Sequence, residues 1–322
     1  MLSNEPNETP RHSSSQDLSL PSKEVFTAVS TSIVTGIAAA DSFGLAVEGL
    51  NAAEIVEKFG GPIRTLQPIS GIKYYKGEHP AGTISDDTLL TIATMNALRY
   101  DGLSMDAVAR SLIEAYDHAV QHTPDTPHPL GWGWSVGDAV LRLKQGAHWS
   151  QAGLSDNPQM GLGNGVVIRI APVALELWRQ GRGLPLDQEA KEFIRDFTYL
   201  THKTETALMG SYAYVSALLY ALSTSPHEFS QEKCIESIEE ALNDFPNSGD
   251  NVLAQRIRRL HEIQVDNGQA LIEECCNTGR PSFIGNSLPA TLAVFLRNPA
   301  DISALNEIVN LGEDADSNGS MV

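Results

Sequence analysis

From Pro21 onward, apolar residues recur at three- and four-residue spacing in segments separated by short polar breaks, the signature of amphipathic helices. Ser22 followed by Lys23-Glu24 opens a predicted helix that runs to about Phe43. The same spacing predicts helices over 88–100, 104–120, 135–145, 166–180, 187–201 and 204–223. It continues over 229–242, 251–264, 267–276, 283–296 and 301–310. Asp, Ser, Thr or Asn stands near several of the starts, and glycine follows several of the ends, as at Gly146 and Gly181. Alternation of the kind that makes strands is almost missing. Ile69 to Tyr75 is the best candidate for an extended piece and reads equally well as loop. No repeat of fixed period and no shift of composition divides residues 23–322. The expectation is an all-α fold, one compact multi-helix domain over 23–322, preceded by a flexible tail over 1–22.

Composition sharpens that picture. The tail is rich in Ser, Asn, Pro, Glu and Gln and has too few large apolar groups to offset the entropy of ordering. The whole chain has 322 residues, 42% of them hydrophobic, enough for a sizeable core. Its net charge is -18, from 40 acidic and 22 basic residues, which repels phosphate backbones and argues against a nucleic-acid partner. The opening residues lack the basic and apolar regions of a secretory signal. The most apolar early stretch, Ile33 to Ala40, spans eight residues before Asp41, too few for a bilayer, so no membrane association is expected. Of three cysteines, Cys275 and Cys276 are adjacent and pair poorly, leaving Cys234. No disulfide framework follows, and a cytoplasmic location is expected.

Two crowded acidic segments carry the chemistry. Gly82-Thr83-Ile84-Ser85-Asp86-Asp87-Thr88 precedes a predicted helix, where carboxylates favour the positive end of the helix dipole. Gly312-Glu313-Asp314-Ala315-Asp316-Ser317-Asn318-Gly319 follows the last predicted helix and reads alone as a solvated loop. Together they offer four aspartates with Ser85 and Ser317, a hard-oxygen donor set suited to Mg²⁺ or Mn²⁺ rather than zinc. Four aspartates in one place repel unless cations lie among them.

Further segments give these clusters a context. They are Gly36-Ile37-Ala38-Ala39-Ala40-Asp41-Ser42-Phe43-Gly44 followed by Glu48, Gly131-Trp132-Gly133, Gly163-Asn164-Gly165-Val166-Val167-Ile168-Arg169-Ile170-Ala171-Pro172, and Thr201-His202. In this order, with the two acidic segments, the chain resembles the ADP-ribosylglycohydrolases over about residues 30–322. The resemblance implies two Mg²⁺ (or Mn²⁺) ions held by Ser85, Asp86, Asp87, Asp314, Asp316 and Ser317. It implies a general acid or base drawn from Asp87, Asp316 or Glu48, the last matching the family's gating acidic residue. It places Asp41, Gly131, Trp132, Gly133, Gly163, Asn164, Gly165 and His202 along the substrate site. Without side chains, Gly163 and Gly165 would let backbone approach a diphosphate. Trp132 and Trp134 fit either an adenine-stacking role or the core, and Arg169 fits a buried salt bridge.

The implied activity is removal of ADP-ribose from a modified protein side chain. Arginine is favoured over serine, because the Gly-Trp-Gly and Thr-His segments resemble the arginine-directed bacterial members. The sequence departs from the family pattern at Ser85 and Ser317, where threonine is usual, and at Ala40 and Glu313, where glycine is usual. It also ends at Val322, where family members normally continue with a further helix. Two other readings compete. One is a catalytically inactive binding or inhibitory module acting through residues 1–22; an immunity protein against an ADP-ribosyltransferase toxin, engaged by the same tail, would combine binding with hydrolysis. The other is zinc chemistry on His118, His122, His128 and His148, although the first pair lacks an intervening glutamate.

Overall fold

The computed structural model describes residues 20–71, 77–122, 129, 131–276 and 278–322. Ser22 starts the ordered architecture, its side chain accepting from the Val25 amide and so satisfying a free donor at the start of α1 (Lys23–Leu45). Next comes α2 (Ala52–Phe59), bounded by an Asn51–Glu54 capping box and by Gly60 at φ 76°. A two-stranded antiparallel ribbon follows, β1 (Ile69–Ser70) with β2 (Glu78–His79), Ile69 opposite His79. The chain then continues through α3 (Asp86–Asp101), α4 (Met105–His122), α5 (Trp134–Lys144), α6 (Trp149–Ala152) and α7 (Gly165–Ile168). After these come α8 (Ala171–Arg179), α9 (Gln188–Tyr199), α10 (Glu205–Ser223), α11 (Gln231–Ala241) and α12 (Val252–Ile257). The last are α13 (Ile263–Asp266), α14 (Gln269–Cys276), α15 (Ile284–Arg297), α16 (Ser303–Leu311) and α17 (Ala315–Met321). The fold is all-α around a single core, as its periodicity predicts.

Helix α10 is the axis of that core, packed by α8, α9, α11 and α15. Its small residues permit the crowding: a Cβ on Gly210 would lie 2.4 Å from Ile284 Cδ1. A second close crossing brings α1 against α17. A Cβ on Gly44 would lie 2.3 Å from the Ala315 carbonyl oxygen, so only glycine lets the two backbones meet there. One on Gly319 would lie 3.2 Å from the Ala40 oxygen. This crossing joins the two ends of the described chain and positions the acidic site.

The structure corrects three expectations. Residues 312–319, read as a solvated loop, run into α17, whose side chains from Ala315 to Met321 are buried. The Asn-Gly-Ser stretch is a poor helix former, and packing against α1 overrides that preference. The helix expected over 166–180 is two helices, α7 and α8, separated at Arg169–Ile170 with a proline in the first turn of α8. The one expected over 251–264 is broken into α12, a 3₁₀ turn at Leu260–Glu262, and α13. Of the expected extended piece Ile69–Tyr75, the ribbon covers only Ile69–Ser70, and residues 72–76 lie outside the described ones. The expected tail lies outside them too, except for residues 20–22.

By length and apolarity α1 is long enough to cross a membrane, longer than its eight-residue apolar run suggests. Its second half, however, is buried from Ala40 to Leu45 and carries Asp41 into the acidic site. Extracting this helix into lipid would dismantle that site.

Candidate metal centre

The first acidic segment is built as a helix start. Ser85 is the N-cap of α3, its Oγ accepting from the Asp87 amide at 3.2 Å. Asp86 and Asp87 occupy the first turn, where the free amides and the dipole favour negative charge. Beneath them lies Asp41, fully inaccessible to solvent. Its carboxylate accepts from the Ser85 amide at 2.9 and 3.1 Å and from the Thr88 amide at 3.3 Å, and also from the Thr88 hydroxyl. The resemblance put Asp41 along the substrate site. Its partners instead make it the clamp that fixes the start of α3 to α1.

The second segment arrives from the far end of the sequence. Asp314 is the N-cap residue of α17, and Asp316 and Ser317 lie in its first turn, all three buried. Asn164 donates to Asp314 Oδ2 at 2.6 Å, and the hydroxyls of Ser317 and Ser282 also bond to the Asp314 carboxylate. Glu48 enters on the turn after α1. That turn is laced to the approach of α17: the Gly49 amide donates to the Glu313 oxygen at 2.7 Å and the Glu313 amide to the Leu50 oxygen at 2.6 Å. In consequence Glu48, Asp314 and Asp316 present carboxylate oxygens within 4.8 Å of one another.

Electrostatics ties both segments into one centre. Burial, and then the charges of Asp316 and Asp314, push Glu48 well above the usual carboxylate range. Burial followed by Asp316 does the same to Asp86, and burial followed by Asp86 and Asp316 does it to Asp87. Burial lifts Asp316 to about 7. Asp314 is raised less, since Asn164 and the two serine hydroxyls hydrogen-bond its charged form. The Glu48 and Asp316 carboxyls hydrogen-bond one another, yet the oxygens Glu48 Oε2, Asp87 Oδ2 and Asp316 Oδ1 are inaccessible and have no partner. Buried acceptors are ordinarily paired, and leaving them bare is expensive. Oxygen-only donors of this kind fit a hard divalent cation.

The remaining expected residues form the wall beside this cluster. The Asn164 amide donates to the Ser282 oxygen at 3.0 Å, and Gly163 bridges Phe283, which lashes the Gly163-Asn164-Gly165 loop to the start of α15. Asn164, expected to face substrate, therefore has its side chain on Asp314. His202 is buried with Nδ1 2.8 Å from Thr201 Oγ1. Its Nε2 faces the two glycines, 3.7 and 3.8 Å from where their Cβ atoms would stand. Gly131 turns at φ 85°, Gly133 is the exposed N-cap of α5, and Trp132 between them is buried edge-on against Tyr116. Trp132 is thus core, whereas Trp134 is 66% exposed.

Arg169 differs from its expected role. It forms no salt bridge among the described residues. Its guanidinium lies 4.4 Å from the Phe197 ring centre and donates to Thr201 Oγ1 at 2.8 Å. Sequence reasoning named Thr88 in the first acidic segment and Thr201 in the Thr-His motif without giving either a role, and it missed Ser282, which carried no signal.

Comparison with known proteins gives this arrangement a lineage. The profile of the ADP-ribosylglycohydrolases matches residues 31–322. The chain belongs to the ADP-ribosylglycohydrolase family. A solved "ADP-ribosylglycohydrolase-related protein complex" is similar in fold, with a TM-score of 0.63 at 20% identity, covering 90% of this chain and 82% of that one. An uncharacterized protein of Archaeoglobus fulgidus is 24% identical over 295 residues, 88% of this chain and 82% of its own.

For an ADP-ribosylglycohydrolase, the chain's departures are now interpretable. Glu313 stands at φ 64°, in the left-handed region that explains why glycine is usual there. Ala40 lies at the α1–α17 crossing, its backbone oxygen 3.2 Å from where a Cβ on Gly319 would stand. The zinc reading gains nothing from the geometry. His148 caps α6, accepting from the Ser150 amide, and the tight group of metal-competent side chains contains no histidine. His128 and the side chain of His122 lie outside the described residues.

Proposed function

We propose that this ADP-ribosylglycohydrolase removes ADP-ribose from a modified protein side chain in a reaction that depends on two divalent cations, Mg²⁺ or Mn²⁺. The observation that carries this reading is the set of three buried, unpartnered carboxylate oxygens on Glu48, Asp87 and Asp316. They come from distant parts of the chain, Glu48 and Asp316 in one tight group of carboxylate oxygens and Asp87 close enough to feel the charges of Asp86, Asp316 and Asp314. Asp86, Asp87, Asp314 and Asp316 would hold the ions, with Ser85 and Ser317 as hydroxyl donors. When bound, the cations would supply charge neutralisation for ribose hydroxyls and for an attacking water.

The chain's own residues have the complementary tasks. Asp41 holds the start of α3, and Asn164 holds Asp314, so the donor oxygens are oriented before any ion arrives. A carboxyl of Glu48, Asp87 or Asp316 would carry the proton at the scissile bond; burial lifts all three above the ordinary carboxylate range in the metal-free protein. The glycines at 163 and 165 would leave room for the diphosphate beside His202 Nε2.

An arginine linkage is preferred over serine on the resemblance of the Gly-Trp-Gly and Thr-His segments to arginine-directed members. The test is incubation with ADP-ribosyl-arginine protein, with Mg²⁺, with Mn²⁺ and with chelator, beside Asp316→Ala. ADP-ribose should be released only by the unmodified, metal-loaded protein. Equal release in chelator would sink the metal-dependent mechanism, and no release under any condition would favour an inactive binding module.

A further inference from the structure

Arg169, Thr201 and His202 form a buried relay beside the glycine loop, none of them more than 2% exposed. The Arg169 Nη2 donates to Thr201 Oγ1 at 2.8 Å, and the same oxygen lies 2.8 Å from His202 Nδ1. Arginine has no acceptor, so Thr201 must accept in the first contact. A hydroxyl has one hydrogen. If His202 also donated from Nδ1, the Thr201 hydrogen would be buried with no acceptor, a loss of about 1–3 kcal/mol. Thr201 therefore donates to Nδ1, and the histidine proton is left on Nε2.

We propose that Arg169 and Thr201 are positioning residues that lock His202 as the Nε2–H tautomer, presenting a fixed hydrogen-bond donor to an oxygen of a ligand seated over Gly163 and Gly165. Nε2 makes no hydrogen bond among the described residues, and it lies 3.7 and 3.8 Å from where Cβ atoms on Gly163 and Gly165 would stand, so it borders the backbone those glycines leave bare. Burial and then the Arg169 charge push His202 down to about 3, in keeping with a ring that stays neutral. The Arg169 contribution is thus indirect: it obliges the hydroxyl to turn its hydrogen toward the ring. That the ligand is ADP-ribose rests on the proposed hydrolase reading; the tautomer does not.

The two parts separate experimentally. Full-length protein labelled with ¹⁵N-histidine gives the ring tautomer from long-range ¹H–¹⁵N correlations, His202→Asn identifying the signal among nine histidines. The unmodified protein should show a single neutral Nε2–H ring at pH 7. Thr201→Val should mix the tautomers, and Thr201→Ser, which restores the hydroxyl, should recover the single form. Binding of ADP-ribose should weaken about ten-fold in Thr201→Val and be near normal in Thr201→Ser, one lost hydrogen bond being of that size. An Nδ1–H ring in the unmodified protein overturns the proposal even if Thr201→Val fails to fold. So does an unchanged spectrum in Thr201→Val, or equal ADP-ribose affinity despite mixed tautomers. Should no variant and no unmodified protein bind ADP-ribose, the ligand assignment falls with the hydrolase reading, and the spectrum still decides the tautomer.

Discussion

Asn164 and Asp314 are 150 positions apart in sequence and 2.6 Å apart in the fold, an amide donating to a carboxylate at the base of the acidic cluster. The contact makes a loop tethered to α15 responsible for the orientation of a residue that opens α17.

Asn164 should therefore govern metal affinity without being a ligand. In Asn164→Ala, Asp314 loses one of the hydrogen bonds that favour its charged form, and its carboxylate is held less firmly by the two serine hydroxyls that are left. Supporting residues of this kind are worth roughly ten- to hundred-fold in affinity. Calorimetric titration with Mn²⁺ should show that weakening, and Asn164→Asp should be worse because it adds a like charge. Unaltered Mn²⁺ affinity in both would remove Asn164 from the centre.

The crossing of α1 and α17 makes a sharper structural prediction. A methyl at Gly44 meets the Ala315 backbone oxygen at 2.3 Å, and backbone cannot swing aside as a long side chain does. Gly44→Ala should destabilise the protein by about 2–3 kcal/mol and weaken Mn²⁺ binding as α17 shifts. On the same helix, nothing lies within 4 Å of a Cβ at Gly36. Gly36→Ala should stabilise by about 0.5–1 kcal/mol through helix propensity and leave metal affinity alone. Denaturant melts of the pair decide this, and similar behaviour of the two variants would contradict the crossing.

These contacts mark where sequence was readable. The helices were visible because their apolar faces repeat, and the two acidic segments because hydroxyls flank their adjacent carboxylates. Their convergence was inferred from order along the chain and then found in space. What stayed hidden depends on tertiary partners. α17 lacks a helix-forming composition and exists because Gly44 lets it dock. Asp41 gave no local sign that its oxygens would be saturated by Ser85 and Thr88. Arg169 suggested a salt bridge because buried arginines usually have a carboxylate, whereas here the partners are a hydroxyl and a ring.

Glu313 supplies a stabilising substitution. At φ 64° its Cβ crowds the backbone, and burial together with Glu54 and Asp314 raises its carboxyl, so its charge is also unwelcome. Glu313→Gly removes both penalties and should stabilise by about 1 kcal/mol, glycine's extra unfolded-state entropy offsetting part of the gain. A lower melting temperature in Glu313→Gly would show that the side chain has a stabilising contact outweighing the strain.

The acidic centre should make metal-free protein sensitive to pH in a defined direction. Glu48, Asp86, Asp87 and Asp316 all titrate above their ordinary range, Asp316 at about 7. A carboxyl whose folded value is raised stabilises the fold while protonated. That contribution is complete below the unfolded value near 4 and is lost as pH climbs through the folded value. In chelator, the melting temperature should fall between pH 5 and pH 8, on the order of a few degrees. Saturating Mn²⁺ should abolish the fall, because the ions bind the deprotonated cluster and bind it better as pH rises. Asp316→Asn replaces one of the titrating groups with a neutral one of the same shape. It should flatten the chelator profile and raise its alkaline end while losing Mn²⁺-dependent stabilisation and hydrolysis. Opposite signs for stability and activity in one substitution are expected if the cations relieve the cost of burying these charges, and with it their mutual repulsion. A metal-free profile that rises from pH 5 to pH 8 would show that burial and repulsion do not disfavour the charged carboxylates.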